Sequence, residues 1–530
     1  MKVAVAAVNP QPEDRVIDPA CGSGSFLAAV QEEVRKKLEG IHAANAGEAA
    51  LALRDWSSRN LYAIDKDSVS VRLSKAYVSM LGDGSTHVFK ADSIRASGWT
   101  QSLSSVVQDG SFDIVVTNPP FGTKLKVSAQ IGQEEAYELS REWRRNSTGR
   151  WEPTDKYVER DLGLIFLERS IRFLNAGGRL AIVLPDTYLF SDSYGWLVQW
   201  LSQFTITHSI NVPIEAFEPH CRAKTSIIVL VKAPPRDNHM ILGSVPQTFG
   251  EDKHGHPRFA FDEEGRQTTD LDDEMGDAAK GFWADHPDRD ESRLFFHFSQ
   301  SEAVSEGILV ASYWWRKPYI SAVEKFAREN DCELASVGDL VDRGELKVMD
   351  GHGSPSSHVH GRGEIPYVKV VDIKNWRVIE NPKYAIPSDV ASKLRRGKTL
   401  QPFDLVTPTR ASKNIGLFGV IMPWQTHVIL TREIAVWRVA SRTASPWLLL
   451  ALMSLKVVHD QFTPLITMQM NREDLGTRYR KVLLPIPRRA DARERWAGPV
   501  RSYIESIVNS RSSYEALTAQ LDPSLFADRP

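Results

Sequence analysis

The chain has 530 residues, of which 42% are apolar and 25% charged, a balance typical of a globular protein with a sizeable core. Its length predicts two to four domains of roughly 100–200 residues each. The net charge of −2 excludes a strongly basic or acidic protein, so nucleic-acid binding would need a localised positive surface. Three widely spaced cysteines, Cys21, Cys221 and Cys332, exclude a disulfide framework or cysteine zinc site and favour a reducing cytoplasm.

The first 233 residues alternate short apolar runs with helical patterns, and no apolar run approaches the roughly 18 residues of a membrane span. Strands are predicted at 15–18, 61–65, 87–92, 112–118, 178–185, 207–212 and 225–232. Helices are predicted at 25–38, 68–81 and 162–174, with an inserted loop at 38–60. This alternation predicts a parallel sheet with helices on both faces, that is, an α/β domain.

Two segments interrupt or follow this pattern. Residues 123–160 are polar and contain REWRRNSTGRW, which predicts either a functional loop or lid, or a solvated helix. Residues 236–311 are mostly acidic and predict an irregular connecting region that would repel DNA phosphates.

The composition changes again after about residue 312. Short β-type runs are predicted at 335–341, 365–373, 403–408, 415–422 and 426–431. Helices are predicted at 318–330, at 447–458 and from about 499 to 520. We therefore predict four parts: an α/β domain over 1–235, a connecting region over 236–311, an α+β domain over 312–488 and a C-terminal helix over 489–530.

The string VIDPACGSGSFL, residues 16–27, predicts a ligand-binding turn between a strand and a helix. Gly22 and Gly24 allow the backbone to come close to a ligand, and the helix that follows offers free N–H groups. In such folds an acid at the end of the next strand binds ribose hydroxyls, and LYAID supplies Asp65. Asp92 ends the following strand. Acids at strand ends also cap helices, which is the alternative role for both.

The string FDIVVTNPPF, residues 112–121, delivers Asn118 to the carboxyl edge of the sheet. The two prolines fix an extended turn and leave backbone carbonyls without local donors. An amine attached to an aromatic ring is a poor nucleophile, and acceptors on both of its N–H groups would activate it. The Asn118 side-chain oxygen and the Pro119 carbonyl are the candidate acceptors. An ordinary strand-to-helix turn is the alternative.

Taken together, DPACGSG, the two strand-end acids and NPPFGTK resemble the N6-adenine DNA methyltransferases of restriction–modification systems, in particular type I modification subunits. The resemblance implies a Rossmann-like class I fold, S-adenosylmethionine as cofactor and methyl transfer to a flipped adenine in duplex DNA. It implies catalytic roles for Asn118, Pro119, Pro120 and Phe121, with Phe121 stacking on the base. The implied cofactor-binding residues are Asp18, Ala20, Cys21, Gly22, Gly24, Asp65, Asp92, Ser93 and Asn118, with Asp92 on the cofactor's adenine amino group.

The sequence after about residue 313 resembles a specificity subunit with one target-recognition domain and one spacer helix. Such a chain would read one half-site alone, or two as a homodimer. In the resembled family a helical region precedes DPACGSG, so three alternatives are open: a partner polypeptide supplies it, the natural chain begins further upstream, or the region is dispensable. A restriction subunit is a further possible partner.

Basic residues in predicted loops of this region are candidates for DNA contact: Arg395, Arg396, Arg410 and Lys413. Simple solvation of the loops is the alternative. His352, His358 and His360 lie in a glycine- and serine-rich segment that predicts a flexible loop, and no metal site is expected.

Other functions remain open from the sequence alone. The chain could be a non-catalytic recognition subunit that only binds the cofactor, or it could methylate cytosine N4 or a protein amide. No nuclease signature or helicase phosphate loop is found.

Overall fold

The structure is a computed structural model that describes residues 1–82, 87–122, 124–217, 224–252, 254–262, 264–283, 292–440, 445–469 and 472–520. Cys221 and Thr123 therefore lie outside the described residues. The chain divides into a first unit, Met1–Trp315, and a second unit, Arg316–Pro530. Within the described ranges, no helix is both long and apolar enough to cross a bilayer.

A nine-stranded sheet forms the centre of the first unit. We number its strands β1 to β9: Val16–Asp18, Leu61–Asp65, Val88–Lys90, Phe112–Thr117, Leu174–Pro185, Thr205–Val212, Thr225–Val231, Met240–Ser244 and Phe296–Ser299. The spatial order is β9-β8-β6-β7-β5-β4-β1-β2-β3. Strands β1 to β5 run parallel, whereas β7 is antiparallel to both β5 and β6. This order, with its reversed strand, confirms the predicted Rossmann-like class I methyltransferase fold.

Helices follow most of these strands. Their bounds are Lys2–Val8, Ser25–Ile41, Ala46–Asn60, Ser68–Gly82, Gln101–Val106, Ala129–Glu134, Leu162–Phe173, Asp186–Phe190, Gly195–Leu201, Glu274–Gly281, Gln300–Glu306 and Ala311–Trp314. Val16 of β1 and Ile114 of β4 belong to the same buried cluster as Leu27 and Val30 of the helix Ser25–Ile41. Because β1, β2 and β4 are parallel, their carboxyl ends meet at one edge of the sheet.

The prediction of a loop at 38–60 is wrong, because the helix Ala46–Asn60 occupies most of this segment. The Asn45 side chain caps this helix by accepting hydrogen bonds from the Gly47 and Glu48 N–H groups. The helix buries Leu53 and Trp56. Local capping and a narrow apolar stripe therefore outweigh the polar composition.

The polar segment 123–160 contains a β-hairpin rather than a solvated helix. Arg141–Arg145 pairs antiparallel with Trp151–Tyr157, and the short strands Lys126–Val127 and Arg160–Asp161 pair at its base. The segment is thus ordered through backbone hydrogen bonds.

The prediction of an irregular connecting region at 236–311 is also wrong. β8 and β9 extend the central sheet because Ile241, Leu242, Phe296 and Phe298 are buried. Between them lie a hairpin of Phe259–Phe261 with Gln267–Leu271 and the helix Glu274–Gly281. The first unit therefore ends at Trp315 rather than at residue 235.

The second unit contains a six-stranded sheet of short strands. Their spatial order is Leu346–Asp350, Ile434–Val439, Leu405–Pro408, Gly419–Val420, Trp376–Val378 and Ile373–Lys374. The smaller sheets join Ala385–Ile386, Ile365–Val368 and Ile429–Leu430, then Cys332–Ser336 with Leu483–Pro487, and Thr467–Gln469 with Arg472–Asp474. The helices are Lys317–Glu329, Val337–Asp342, Ser388–Arg395, Pro446–Met453, Lys456–His459, Phe462–Leu465 and Ala490–Gln520.

Three details of this unit differ from expectation. Residues 337–342 form a helix rather than a strand, because Ser336 and Asp339 form a reciprocal capping box. The closing helix begins at Ala490 and includes Pro499. His352 is held in place, since its Nδ1 accepts from the Leu430 N–H and its Nε2 contacts the Lys398 carbonyl, each at 3.0 Å. Burial lowers the pKa of His352.

Candidate active site

The turn after β1 is closed by its own hydrogen bonds. Asp18 accepts from the Ala20 N–H at 3.0 Å, and the Gly24 N–H donates to the Cys21 carbonyl at 2.8 Å. Gly22 and Gly24 both have positive φ, 50° and 87°. A Cβ on Gly24 would lie 2.7 Å from the Ser74 Oγ, whereas a Cβ on Gly22 would meet nothing within 4 Å. Gly24 thus allows close helix packing, while Gly22 faces open space.

Asp65 ties the end of β2 to this turn. One of its carboxylate oxygens accepts from the Gly22 N–H at 2.9 Å, and the other accepts from the Asp67 N–H at 2.8 Å. Each oxygen still has a second lone pair available to a ligand. Asp65 is therefore held beside the glycine turn, with a carboxylate oxygen on the Gly22 N–H.

Asp92 and Ser93 follow β3 on the same side. The Lys66 Nζ lies 3.1 Å from Asp92 Oδ2, and the Ser93 hydroxyl donates to the Pro19 carbonyl at 2.5 Å. Asp65, Asp92 and Ser93 line a cavity of about 350 Å³ that also reaches Pro120. The segments that follow three strands thus line one cavity, in which Asp65, Asp92 and Ser93 are polar residues.

Asp18 and Cys21 play different parts from the other predicted residues. Asp18 is only 1% exposed and does not line this cavity, and its burial raises its pKa to about 7. Burial, reinforced by the negative charge of Asp18, also raises the pKa of the Cys21 thiol. Asp18 therefore stabilises the turn from its buried side, and the Cys21 thiol is uncharged.

Asn118 leaves β4 directly after Thr117. Its Oδ1 is buried and has no hydrogen-bond partner in the described part of the chain. No described N–H or hydroxyl donates to the Pro119 carbonyl. Pro119 is buried and Pro120 exposed. Two acceptors therefore stand unused at the strand end, where the sequence predicts them.

Asn118 lines a second cavity of about 680 Å³, which shares Ala20 with the first. The turn residues Cys21 and Gly22 form one wall of it. Phe217 forms part of another wall and meets Phe121 edge to face, with ring centroids 6.1 Å apart.

Most residues that line this cavity were not predicted, among them Phe217, Phe249, Glu251 and Met275. Phe217 follows β6 by five residues, so its position after a strand end was a usable signal. Phe249, Glu251 and Met275 belong to the acidic segment that was expected to be an irregular connector, and no local pattern marks them as site residues.

The four predicted DNA-contact residues lie in the second unit, and no described contact joins Arg395 or Arg396 to Arg410 or Lys413. Arg395 donates to the His427 carbonyl, and Arg396 is the exposed left-handed cap of the helix Ser388–Arg395. The Arg410 Nε lies 2.6 Å from Asp474 Oδ1, whereas Lys413 is exposed. Arg410 therefore neutralises a buried carboxylate as well as presenting a charge.

The amino-acid sequence matches the model of the N-6 DNA Methylase family over residues 1–271. It is 24% identical over 233 residues to the type I restriction enzyme EcoEI methylase subunit of Escherichia coli, covering 44% of this chain and 40% of that protein. It is also 24% identical over 228 residues to the type II methyltransferase M.VspI of a Vibrio species, covering 42% and 44%. The chain thus spans less than half the length of these curated relatives.

Among solved structures, the type IIG restriction endonuclease BpuSI is similar over 94% of this chain and 59% of its own, at 12% identity and a TM-score of 0.44. The EcoKI M protein is similar over 57% and 62%, at 18% identity and a TM-score of 0.35. The family match covers more than half of the 530 residues. The chain belongs to the N-6 DNA Methylase family.

Proposed function

We propose that the chain transfers a methyl group from S-adenosylmethionine to N6 of adenine in duplex DNA, as part of a restriction–modification or related defence system. The observation that carries this proposal is the buried Asn118 Oδ1, an acceptor without a donor that lines a cavity beside the glycine turn. A buried acceptor left without a partner costs about 1–3 kcal/mol, so its presence points to a ligand that donates.

The residues around the turn fit the cofactor of this family. The Asp65 carboxylate has free lone pairs for ribose hydroxyls, and Asp92 shares its cavity as the acceptor for an adenine amino group. The open space above Gly22 admits a ligand close to the backbone. When bound, S-adenosylmethionine supplies an electrophilic methyl group on a positively charged sulfur.

The chain's own residues activate and hold the amine. Asn118 Oδ1 and the Pro119 carbonyl accept one N–H each, which localises the nitrogen lone pair. Phe121, together with Phe217 which contacts it edge to face, offers an aromatic surface for the flipped base, and stacking of a base on an aromatic ring is worth about 1–3 kcal/mol. The bound cofactor would supply the methyl group and would keep the electron pair of its carbon–sulfur bond, and the amine held by Asn118 and Pro119 would release one proton to water.

The test is transfer of labelled methyl to duplex DNA, followed by digestion to nucleosides and mass spectrometry. We expect N6-methyladenine from the natural chain and a loss of roughly 10²–10³ in kcat for Asn118→Ala, by analogy with removal of one polar group that stabilises a transition state. Cofactor affinity, measured by calorimetry, should fall much less than kcat, although Asn118 is also among the residues expected to contact the cofactor. A normal kcat for the Asn118→Ala variant would contradict the proposed mechanism.

The same assay separates the other candidates. N4-methylcytosine in the digest would reassign the base, and methyl transfer only to protein would reassign the substrate class. Cofactor binding without any transfer would leave a non-catalytic recognition subunit. Because the chain belongs to the N-6 DNA Methylase family, adenine N6 methylation is the outcome we expect.

We further propose that the second unit recognises the DNA target. It is a compact unit of its own, and Arg396 and Lys413 present exposed charges on it. One recognition unit would read one half-site, so a homodimer or a partner subunit would supply the second. Mass measurement of the chain with and without duplex DNA tests this, and a monomer that methylates a non-palindromic site would exclude the homodimer.

A further inference from the structure

The hairpin of Arg141–Arg145 with Trp151–Tyr157 is rigidly attached to the first unit. Trp143 stacks on Trp196 with ring centroids 5.4 Å apart. The backbone of Trp151 and the side-chain amide of Gln199 exchange two hydrogen bonds, at 2.9 and 2.7 Å. The Arg160 guanidinium lies 4.8 Å from the Trp196 ring centroid and donates to the Arg141 carbonyl. The hairpin is therefore anchored by its base rather than free in solvent.

The tip of the hairpin is also ordered. Asn146 Oδ1 accepts from the Thr148 and Arg150 N–H groups, each at 3.0 Å, and from the Thr148 hydroxyl at 2.7 Å. The Asn146 N–H donates to the Arg150 carbonyl at 2.8 Å. One side chain thus closes the turn, and the residues beside it are held in fixed positions.

The tip carries a concentrated positive charge. Residues 144–150 include Arg144, Arg145 and Arg150 and no acidic residue. Glu142 and Glu152 flank this segment, and Glu152 accepts from the Asn146 amide at 2.7 Å. All three arginines are exposed.

Two of the three guanidinium groups have no carboxylate partner. Arg145 lies 4.9 Å from the Trp151 ring centroid, and neither it nor Arg150 forms an ion pair within the described residues. Only Arg144 is paired, with Glu142 at 2.9 Å. Two charges of this tip are therefore available for an anion, and a third can be released.

The hairpin lies between the catalytic tetrapeptide and the helix Leu162–Phe173 along the chain. Asp161 at its base accepts from the Tyr194 hydroxyl at 2.7 Å. The next turn of chain approaches the site, because a Cβ on Gly163 would lie 3.9 Å from the Phe121 Cβ. The chain that carries the arginine tip thus packs against Phe121, three residues after Asn118.

We propose that this hairpin, residues 141–157, binds the phosphate backbone of DNA and forms a contact surface of the first unit separate from the second unit. The inference rests on the proposed function for the identity of the anion. Guanidinium groups bind phosphate with paired N–H donors, and a net charge of −2 makes such a local positive surface necessary.

The test uses the full chain and a labelled 30-base-pair duplex of arbitrary sequence, with binding followed by fluorescence anisotropy across a range of salt concentrations. The triple variant R144Q/R145Q/R150Q should bind about 10–100-fold more weakly, and the slope of log affinity against log salt should fall by about 2–3. The variant R144K/R145K/R150K should keep most of the slope, because charge rather than base reading is expected.

The matched control is K36Q/R59Q/K75Q, which removes three exposed basic residues from helices of the same unit. It should bind within about twofold of the natural chain. Thermal melting and cofactor binding check that each variant is folded. An unchanged salt slope in a folded R144Q/R145Q/R150Q variant overturns the inference, as does an equal loss in the control.

Methyl transfer by the natural chain is measured in parallel. If the natural chain binds DNA with the expected slope but transfers no methyl group, the proposed function fails while the hairpin contact stands. If it methylates DNA and the arginine variant binds normally, only the hairpin contact fails.

Discussion

The two units of the chain position their polar residues in different ways. In the first unit, Asp18, Asp65 and Asn118 end or follow strands of one sheet, and N–H groups of the glycine turn donate to the Asp18 and Asp65 carboxylates. In the second unit, Arg396 and Lys413 stand on a helix cap and a loop and share no described contact. Strand ends bring distant sequence positions together, whereas loops do not by themselves.

The units also differ in their buried charges. In the second unit Arg438 donates to both oxygens of the buried Asp404, at 2.8 and 2.7 Å. In the first unit the buried Asp18 accepts from the Ala20 N–H, is influenced by the negative charge of Asp65, and forms no ion pair within the described residues. A paired and an unpaired buried carboxylate should respond oppositely to substitution, and the following predictions test this.

Removing the paired cation should have the largest effect on stability. Arg438→Ala leaves Asp404 buried without its partner, and we expect a loss of about 3–5 kcal/mol in the free energy of unfolding of the second unit. Chemical denaturation followed by the tryptophan fluorescence measures it. Cofactor affinity should not change, and a similar loss for the exposed pair in Lys456→Ala would contradict the argument.

The unpaired carboxylate should make stability fall as pH rises. Asp18 has a pKa of about 7 in the folded chain against 3.8 ordinarily, so its stabilising contribution is present below pH 4 and lost as pH passes 7. Relative to Asp18→Asn, the natural chain should lose at most about 4 kcal/mol between pH 4 and pH 8. Unfolding free energies of the two proteins are measured by chemical denaturation across this pH range. If they change in parallel with pH, the raised pKa of Asp18 is refuted.

Alanine substitutions of the two glycines in the turn should distinguish a role in packing from a role in ligand binding. Gly24→Ala places a Cβ 2.7 Å from the Ser74 Oγ in a left-handed conformation, and we expect a loss of about 2–3 kcal/mol in unfolding free energy. Gly22→Ala meets nothing within 4 Å and should cost only about 1 kcal/mol, yet weaken cofactor binding. Equal stability losses in the two variants would contradict this assignment.

A single exposed charge in the second unit should have the smallest effect. Lys413→Ala should weaken duplex binding only about twofold to fivefold and lower the salt slope by about 1, since one phosphate contact is removed. Anisotropy titrations measure both quantities. A loss that depends on DNA sequence would instead indicate that Lys413 reads a base.

The first unit was largely predictable because its strands are apolar and end in distinctive residues. β2 occupies 61–65 as predicted, and the Asp65 contact with Gly22 follows from two parallel strands lying side by side. The segment 236–311 was not predictable, because β8 and β9 are short and their partners are distant in sequence. In the second unit the run 335–341 was mistaken for a strand, because a capping box outweighed its valines.

The idle Asn118 oxygen has a consequence for the evolution of the chain. An unsatisfied buried acceptor destabilises the ligand-free protein, so replacing Asn118 with alanine should raise its melting temperature while removing activity. Random mutagenesis selected for heat resistance alone would therefore tend to erase this position. Its persistence would require selection for the reaction itself.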